Sequence, residues 1–344
     1  MFMKQDLDGD GLWRQESFQV GYFKPADAVG IVRLFHAVYG DEYPIRLFYD
    51  PEAIIAANEK GNYYSIVART PSGEVIGVDH LFRSSPCRML YENGAGLVLK
   101  EYRNTGINTE LMRFIYEDFV PSMTNIQETW GEAVCYHPYI QKTIASFKHI
   151  WTAIEVALMP GETYSREKET SARVATIDGF RCYQKSPHRI FLPAPYEQEL
   201  RRIYARLDDV RDILLSGTKA PSGTITQTEL ITFDFAGVAR IVVSEIGRDF
   251  RHCLDKLEKE CQGKNTVVSQ VFMNLACPWV GEAVDELRGR GYFMSGLFPR
   301  WFDSDGFMMQ RILCPPDFDA IILAADEAKQ LLDIIRKDWE RTNA

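Results

Sequence analysis

Two periodicities of apolar residues divide the chain into predicted strands and helices. Residues 63–69 and 75–82 are rich in β-forming side chains and flank the turn Pro71-Ser72-Gly73-Glu74, a pattern that predicts a hairpin. Apolar residues recur at helical spacing over residues 28–39, which predicts an amphipathic helix. Because both periods occur within one stretch of chain, we expect an α+β fold.

Both halves of the chain carry this mixture of periods. In the first half, further elements are predicted as strand 18–23, strand 89–99, helix 109–116, strand 129–136 and helix 138–148. In the second half, they are predicted as helix 197–215, strands 224–233 and 238–243, helix 250–261, strand 266–275, helix 280–288, two strands within 296–312 and helix 325–341. The element order of the second half partly repeats that of the first, which predicts an internal duplication.

Helix and strand breakers mark the boundary between the two halves. Between Lys185 and Glu197 the chain contains Ser186-Pro187-His188 and Leu192-Pro193-Ala194-Pro195. The 344 residues also exceed the ~250 residues beyond which single cores rarely grow. We therefore predict two domains, at residues 18–188 and 189–344, behind a flexible acidic leader at residues 1–17.

Composition and charge narrow the classes of function. A net charge of −9 and the lack of a Lys/Arg stripe argue against nucleic-acid binding. No apolar run approaches the ~20 residues of a membrane span, so no membrane partner is expected. Seven scattered cysteines, with no CxxC pair and no signal peptide ahead of them, predict reduced thiols in the cytoplasm.

No metal site is predicted from the sequence. The segment Asp6-Leu7-Asp8-Gly9-Asp10-Gly11 matches the first half of a calcium-binding EF-hand loop, but its twelfth position is Ser17 instead of a bidentate Glu. The six histidines are scattered, and the adjacent pair His252-Cys253 has no partners at ligand spacing. The acidic segment is therefore interpreted as part of the leader.

A short glycine-containing turn at residues 103–108 joins an apolar strand to an amphipathic helix. The first N–H groups of a helix lack intrahelical partners and its dipole is positive there, so such a turn can hold an anion. Gly106 allows the backbone to come close to a ligand, and Arg103 adds positive charge. The sequence predicts a phosphate site at this turn, with a purely structural turn as the alternative.

This turn resembles the acyl-CoA pyrophosphate loop of the GNAT superfamily of N-acetyltransferases, which is written Arg/Gln-x-x-Gly-x-Gly/Ala. Arg103, Gly106 and Asn108 occupy its three fixed positions, and Asn108 departs from the usual Gly or Ala. The segment 135–142, with its His-Pro and Gln-Lys pairs, is similar to the strand-to-helix join of one bacterial branch of these enzymes. The resemblance covers about residues 18–160.

For the fold, the resemblance implies a mixed, mostly antiparallel sheet flanked by helices in each domain. The second domain is interpreted as a degenerate copy, because no segment between Ile241 and Leu254 matches the loop. A coenzyme site is therefore predicted in the first domain alone.

For the activity, the resemblance implies an acetyl-CoA-dependent N-acetyltransferase. It implies direct attack of a neutral primary amine, on a small molecule or a peptide, without a metal or a covalent enzyme intermediate. Glycines 94 and 96 favour a bulge in the strand ahead of the loop, where the family binds the pantetheine arm. The implied coenzyme-binding residues are Leu97, Val98, Leu99, Arg103, Asn104, Thr105, Gly106, Ile107 and Asn108.

The resemblance also implies where the proton-transfer groups lie. Glu92, at the start of the strand before the loop, is the candidate base. The position where many members carry an acidic Tyr is Phe147 here, which cannot donate a proton. The candidate acids are therefore Tyr136, His137 and Tyr139, with protonation by solvent as the alternative.

Three further residues are weighed for a chemical role. Asp79 and His80 are adjacent on a predicted strand, so they are expected to face opposite sides, and His80 is interpreted as a core or surface histidine. Cys135 could act as an acyl-carrying nucleophile, but a buried strand cysteine is more often inert.

Two other classes of function stay open. Phe147 and Asn108 favour a non-catalytic acyl-CoA-binding or interaction module. A structural tandem domain whose loop binds nothing is the third reading. The sequence predicts neither the particular amine acceptor nor the oligomeric state.

Overall fold

The computed structural model of the protein describes residues 17–164, 173–217 and 219–342. Residues 1–16 of the predicted leader, with their EF-hand-like segment, lie outside the described residues. The chain divides into two compact units. Unit 1 comprises the described residues up to Ser84 together with Arg88–Thr129, and unit 2 comprises Ser85–Cys87 and the described residues from Trp130 onwards. This geometric division does not test the predicted boundary between residues 188 and 189, which stays a prediction.

Unit 1 contains a four-stranded antiparallel sheet with helices packed against it. Its elements are β1 (Gln19–Tyr22), α1 (Ala28–Tyr39), α2 (Pro51–Glu59), β2 (Tyr63–Arg69), β3 (Val75–Phe82), β4 (Leu90–Val98), α3 (Ile107–Arg113) and, after a π-helical turn at Phe114–Phe119, α4 (Val120–Ser122). The strands lie in the order β1-β2-β3-β4, so the predicted hairpin of β2 and β3 is at the centre. The buried core of the unit includes Ile31, Phe35, Phe48, Val67 and Val78.

One helix of unit 1 has no counterpart in the sequence analysis. The structure places α2 directly after Asp50, whose side chain accepts hydrogen bonds from the N–H groups of Glu52 at 2.9 Å and Ala53 at 3.3 Å. Pro51 occupies the first helical position, where its missing N–H costs nothing. An aspartate followed by a proline is thus the start signal that the sequence analysis did not use.

Unit 2 is built on a larger sheet. Its elements are β5 (Glu128–Val134, beginning in unit 1), α5 (Tyr139–Ser146), β6 (Ile150–Met159), β7 (Val174–Cys182), β8 (His188–Leu192), α6 (Glu197–Tyr204), β9 (Arg211–Leu215), β10 (Gln227–Phe233), β11 (Val238–Glu245), α7 (Phe250–Gly263), β12 (Val268–Asn274), α8 (Val280–Gly289), β13 (Phe293–Phe298), β14 (Gly306–Ile312) and α9 (Asp326–Arg341). The strands lie in the order β5-β7-β6-β13-β14-β12-β11-β10. Strands β11 and β12 are parallel and are joined through α7, whereas β8 and β9 form a separate parallel pair.

The predicted helix at 197–215 is wrong in its second half. Helix α6 ends at Tyr204, and residues 211–215 form strand β9 beside β8. Asp209 fixes the change of direction, because its Oδ1 accepts hydrogen bonds from the N–H groups of Ser186 at 2.9 Å and Val210 at 2.8 Å. A side chain that caps its own backbone in this way competes with helix formation.

The fold class is confirmed. The described chain has an α+β architecture, with mostly antiparallel mixed sheets flanked by helices. The interpretation of residues 189–344 as a degenerate copy stays a prediction. Among the described residues, no helix combines the length and the apolar character that crossing a bilayer requires.

Candidate functional site

The turn between β4 and α3 joins a strand to a helix, and two of its residues have a left-handed backbone. After one 3-10 turn at Lys100–Tyr102, the chain reaches Asn104 with φ of +64° and Gly106 with φ of +85°. Gly adopts this left-handed conformation without steric cost, and Asn tolerates it better than most residues. Helix α3 then begins at Ile107, with Gly106 as its N-cap.

In the part of the chain that the structure describes, the N–H groups of this turn are left open. The first backbone bond of the helix runs from the N–H of Glu110 to the carbonyl of Gly106, at 3.0 Å. Within the described residues, the N–H groups from Asn104 to Thr109 have no acceptor. The exposed Arg103 stands beside them, with its Nε donating to the carbonyl of Val98 at 3.3 Å. Open amides, a positive helix end and a guanidinium are a combination that can bind an anion.

Strand β4 carries a bulge just ahead of the turn. Val78 pairs with Leu97 and His80 pairs with Gly94, so β4 holds one residue more than β3 between these two pairs. Ala95 lies in the bulge with φ of +55°. The sequence analysis predicted a bulge here from glycines 94 and 96. Past the bulge, Leu97 is buried, and the N–H of Leu99 donates to the carbonyl of Ile76 at 3.0 Å.

A buried polar network connects the bulge to the helices of unit 1. His80 Nδ1 lies 3.2 Å from the carbonyl oxygen of Ala95. Asn93 Nδ2 donates to Asp79 Oδ1 at 2.9 Å, and Tyr116 Oη donates to Asn93 Oδ1 at 2.8 Å. Asp79 and His80 both lie in the protein interior, at 3% and 0% exposure. His80, which the sequence analysis interprets as a core or surface histidine, is thus a core residue.

Burial shifts the protonation of both members of this pair. It raises the pKa of Asp79 to about 7, against the lowering effect of the hydrogen bonds from Asn93 and from the N–H of His80. It lowers the pKa of His80 to about 4, because the charged imidazolium has no water around it. Since a carbonyl can only accept, the neutral His80 carries its proton on Nδ1, which leaves Nε2 as a buried acceptor without a partner.

Glu92, the candidate base, is half-buried on β4 opposite Phe82. Burial raises the pKa of the Tyr43 and Tyr63 phenols, and the negative charge of Glu92 raises them further. Tyr63 stacks on Phe82 with ring centroids 5.1 Å apart. The carboxylate of Glu92 therefore faces aromatic side chains of unit 1.

The three candidate acids follow β5 in unit 2. The ring of His137 lies 4.5 Å from that of Tyr136 and 5.2 Å from that of Tyr139, so the three form one aromatic row. Tyr139 is 73% exposed, and His137 Nδ1 is buried without a hydrogen-bond partner. The structure thus groups the acids with one another in unit 2, while Glu92 and the turn lie in unit 1.

Cys135 does not have the properties of a nucleophile. Burial, together with the negative charges of Asp178 and Glu132, raises the pKa of its thiol well above the usual value. Its side chain is 1% exposed. Because the thiolate is the reactive form, the structure supports the interpretation of Cys135 as an inert core residue.

Gln141 has a structural role that the sequence analysis did not assign. Its Nε2 donates to the carbonyls of Val134 at 3.1 Å and Ile322 at 2.8 Å, and its Oε1 accepts from the N–H of Ala324 at 2.9 Å. The residue therefore ties the end of β5 to the segment before α9. Two of these partners, Ile322 and Ala324, are about 180 residues away in sequence, so no local pattern indicates this role.

The corresponding strand-to-helix join of the second half uses its amides internally. The N–H of Gly247 donates to Thr226 Oγ1 at 3.0 Å, and the N–H of Arg248 donates to the carbonyl of Thr224 at 3.3 Å. A side chain on Gly247 would come within 2.4 Å of the nitrogen of Thr226. The N–H groups of Gly247 and Arg248 are therefore occupied within the protein. The absence of a coenzyme site from the second domain stays a prediction.

Comparison with protein-family models finds no match, and comparison with curated proteins finds none either. Solved structures do match. They include a ribosomal-protein-S5-alanine acetyltransferase from Vibrio fischeri, with 15% identity over 49% of this chain and 94% of that chain and a TM-score of 0.38. A spermidine N-acetyltransferase SpeG chimera from Vibrio cholerae and hSSAT has 12% identity over 48% and 95% of the two chains, with a TM-score of 0.37.

A putative acetyltransferase of the GNAT family from Desulfovibrio desulfuricans also matches, with 12% identity over 48% of this chain and 99% of that chain and a TM-score of 0.37. All three proteins are named as acetyltransferases. At TM-scores below 0.5, these matches assign neither a family nor an activity to this chain.

Proposed function

We propose that this protein is an acetyl-CoA-dependent N-acetyltransferase, which moves the acetyl group from the thioester to a primary amine by direct attack. The observation that supports this most is the row of N–H groups from Asn104 to Thr109, which have no acceptor among the described residues. The diphosphate of acetyl-CoA supplies both the acceptor oxygens and the negative charge that such a row favours.

The bulge at Ala95 supports the placement of the thioester. A bulge takes one residue of a strand out of the ladder, so that its backbone can serve a ligand. In the proposed complex, an N–H group at the bulge donates to the thioester oxygen, on which negative charge develops during attack. The pantetheine arm then follows Leu97 and Val98 towards the turn.

The proton steps follow from the groups on β4 and after β5. Glu92 accepts a proton from the substrate ammonium, and the neutral amine attacks the carbonyl carbon of the thioester. The carbon–sulfur bond breaks, and the thiolate takes a proton from solvent or from one of the row Tyr136, His137 and Tyr139. The aromatic surroundings of Glu92 suit an acceptor with a cationic or apolar body, because aromatic faces attract cations.

The second candidate is a non-catalytic acyl-CoA-binding module. It is favoured by Phe147, which is buried at 7% exposure where the resemblance places a phenol. Such a module needs the turn and the bulge but not Glu92. The two candidates therefore agree on coenzyme binding and differ in turnover.

Coenzyme binding is tested at Gly106. Alanine at position 106 is strained by about 1 kcal/mol in a left-handed backbone at φ of +85°. We expect the turn to relieve this strain by closing over the amides. We expect isothermal titration to show at least a tenfold weaker affinity for acetyl-CoA in Gly106→Ala. Acetyl-pantetheine, which lacks the diphosphate, is expected to compete only weakly with acetyl-CoA. Gly73→Ala is the matched control, since Gly73 has φ of +89° in the β2–β3 turn and no atom within 4 Å of an added Cβ.

Absence of heat from acetyl-CoA at millimolar concentration in the unaltered protein would refute both coenzyme-binding candidates. Turnover is then measured as free-thiol release with a panel of primary amines. We expect Glu92→Gln to reduce release at least a hundredfold at unchanged acetyl-CoA affinity. If acetyl-CoA binds tightly but no amine accelerates thiol release, the protein is the non-catalytic module.

A further inference from the structure

Three carboxylates from three neighbouring strands converge within unit 2. Glu132 lies on β5, Asp178 on β7 and Glu155 on β6, and these strands are adjacent in the order β5-β7-β6. Each residue offers an oxygen, and the three oxygens lie within 4.8 Å of one another. Glu155 and Asp178 are fully buried, whereas Glu132 is partly exposed and gives the cluster a side towards solvent.

Among the described residues, two buried side-chain oxygens on the paired strands β6 and β7 have no hydrogen-bond partner. They are Glu155 Oε1 and Thr176 Oγ1, both on residues with 0% exposure. Thr176 is directly opposite Glu155 in the β6–β7 register, and Asp178 follows two positions further along β7. Residues opposite one another, and residues two apart on a strand, share one face of a sheet. The hydroxyl of Thr176 therefore lies on the same face as the carboxylates.

The other oxygen of Glu155 is already occupied. Its Oε2 accepts from Gln270 Nε2 and lies 3.4 Å from a guanidinium nitrogen of Arg240. An unpartnered polar atom in the interior is destabilising, and a carboxylate oxygen more so. The hydrogen-bond donors of the described residues thus serve Oε2 of Glu155, and a bound cation can serve its Oε1.

We propose that Glu132, Glu155 and Asp178, together with the hydroxyl of Thr176, bind one hard divalent cation of the Ca²⁺, Mn²⁺ or Mg²⁺ class. Oxygens on opposite sides of a bound Ca²⁺ are about 4.6–5.2 Å apart and neighbouring ones are closer, so atoms within 4.8 Å of one another fit around a single ion. The ligand set consists of oxygens alone, which favours these cations over zinc.

The proposed ion has a structural role in this chain. It removes the mutual repulsion of three close carboxylates, and it gives the two unpartnered oxygens a positive partner. It also ties β5, β6 and β7 together across the ladder. The proposal is independent of acetyl transfer, because none of these residues is part of the turn, the bulge or the proton steps.

The experiment uses the full chain after removal of metal with a chelator. Isothermal titration with Ca²⁺, Mn²⁺ and Mg²⁺ separately is expected to show one site for at least one of them, and that ion is expected to raise the melting temperature of the stripped protein. Glu155→Gln is expected to weaken binding at least tenfold. Thr176→Val, which keeps the shape of the side chain, is expected to weaken it about threefold. Glu229→Gln, at an exposed position of β10 in the same unit, is the control and is expected to bind as the unaltered protein does.

Two results would overturn the proposal. One is no binding of any of the three cations by the stripped, unaltered protein. The other is binding that neither Glu155→Gln nor Thr176→Val weakens, which would place the ion elsewhere. If Glu155→Gln does not fold, Thr176→Val decides the outcome, since it removes one ligand and no charge. A melting temperature that rises in Glu155→Gln without any added metal, in a protein that binds no ion, would show that the carboxylates share a proton instead.

Discussion

His80 has one ring nitrogen in use and one without a partner. Nδ1 reaches the carbonyl of Ala95, in the bulge of β4, and the ring lies 4.7 Å from that of Phe48. Nε2 is buried without a donor. Substitutions that replace one ring nitrogen at a time can therefore distinguish the role of Nδ1, which bonds to the bulge, from the destabilising effect of the buried Nε2.

We expect His80→Asn to preserve the bulge and His80→Gln to lose it. The amide nitrogen of Asn occupies the place of Nδ1, whereas that of Gln reaches the place of Nε2. Hydrogen exchange of the amides from Gly94 to Leu97 is the measurement, and it is expected to be at least tenfold faster in His80→Gln than in His80→Asn. Equal exchange in the two variants would show that the bulge does not depend on the bond to Ala95.

The residue-level candidates could be predicted only in part. The glycines at 94 and 96 indicated the bulge, and the join of strand, turn and helix at residues 103–108 was predicted, but the left-handed backbone at Asn104 and Gly106 was not. The bond from His80 to Ala95 could not be predicted, because it depends on a register in which β4 is one residue longer than β3. The cluster of Glu132, Glu155 and Asp178 gave no signal, since its members come from three strands and have no common spacing in sequence.

Near the candidate site, Gly77 of β3 packs closely against the side chains of α3. A Cβ added to Gly77 would lie 2.9 Å from Cγ2 of Ile107 and 3.4 Å from Cδ1 of Leu111. Ile107 is the first residue of α3, directly after the turn. The absence of a side chain at Gly77 thus sets how deeply the start of the helix is seated on the sheet.

We expect Gly77→Ala to displace the start of α3 and to destabilise unit 1 by about 1–3 kcal/mol, as overpacked cores generally do. Gly21→Ala on β1 is the matched control, since its nearest atom would be 4.0 Å away. Melting temperature and acetyl-CoA affinity are both expected to fall in the first variant and not in the second. The double variant Gly77→Ala/Ile107→Ala is expected to lose less stability than the two single variants lose in sum. Strict additivity of the two losses would contradict the proposed contact.

Two of the elements that sequence patterns missed, β6 and β7, are buried on both faces. Strands β6 and β7 are buried along nearly their whole length, so their apolar runs have no alternation from which a strand could be predicted. The strands of the β2–β3 hairpin are similarly buried, but the turn Pro71-Ser72-Gly73-Glu74 between them gave a local signal. For this hairpin, the turn supplied the signal that the buried strands themselves lack.

At the scale of the whole molecule, Asp79 and His80 make the stability depend on pH in opposite directions. The folded-state pKa of Asp79 is raised, so its contribution to stability is fully present below about pH 4 and is lost as pH rises through about 7. The folded-state pKa of His80 is lowered, so its contribution is present above about pH 6.5 and is lost as pH falls through about 4. Between these limits, the two contributions partly cancel in the unaltered protein.

The contribution of Asp79 can be isolated by removing its carboxylate. The difference in unfolding free energy between the unaltered protein and Asp79→Asn is expected to grow by about 2–3 kcal/mol in favour of the unaltered protein as pH falls from 7.5 to 5, at about 1.4 kcal/mol per pKa unit. This difference in unfolding free energy is measured by urea unfolding at both pH values. Amide hydrogen exchange in β3 and β4 is the probe, so that only the unfolding of unit 1 is followed. Glu59→Gln, at an exposed position of the same unit, is expected to show no such change. A difference that stays constant or shrinks towards pH 5 would mean that Asp79 is ionised in the folded protein, and the carboxylate would then need a cationic partner.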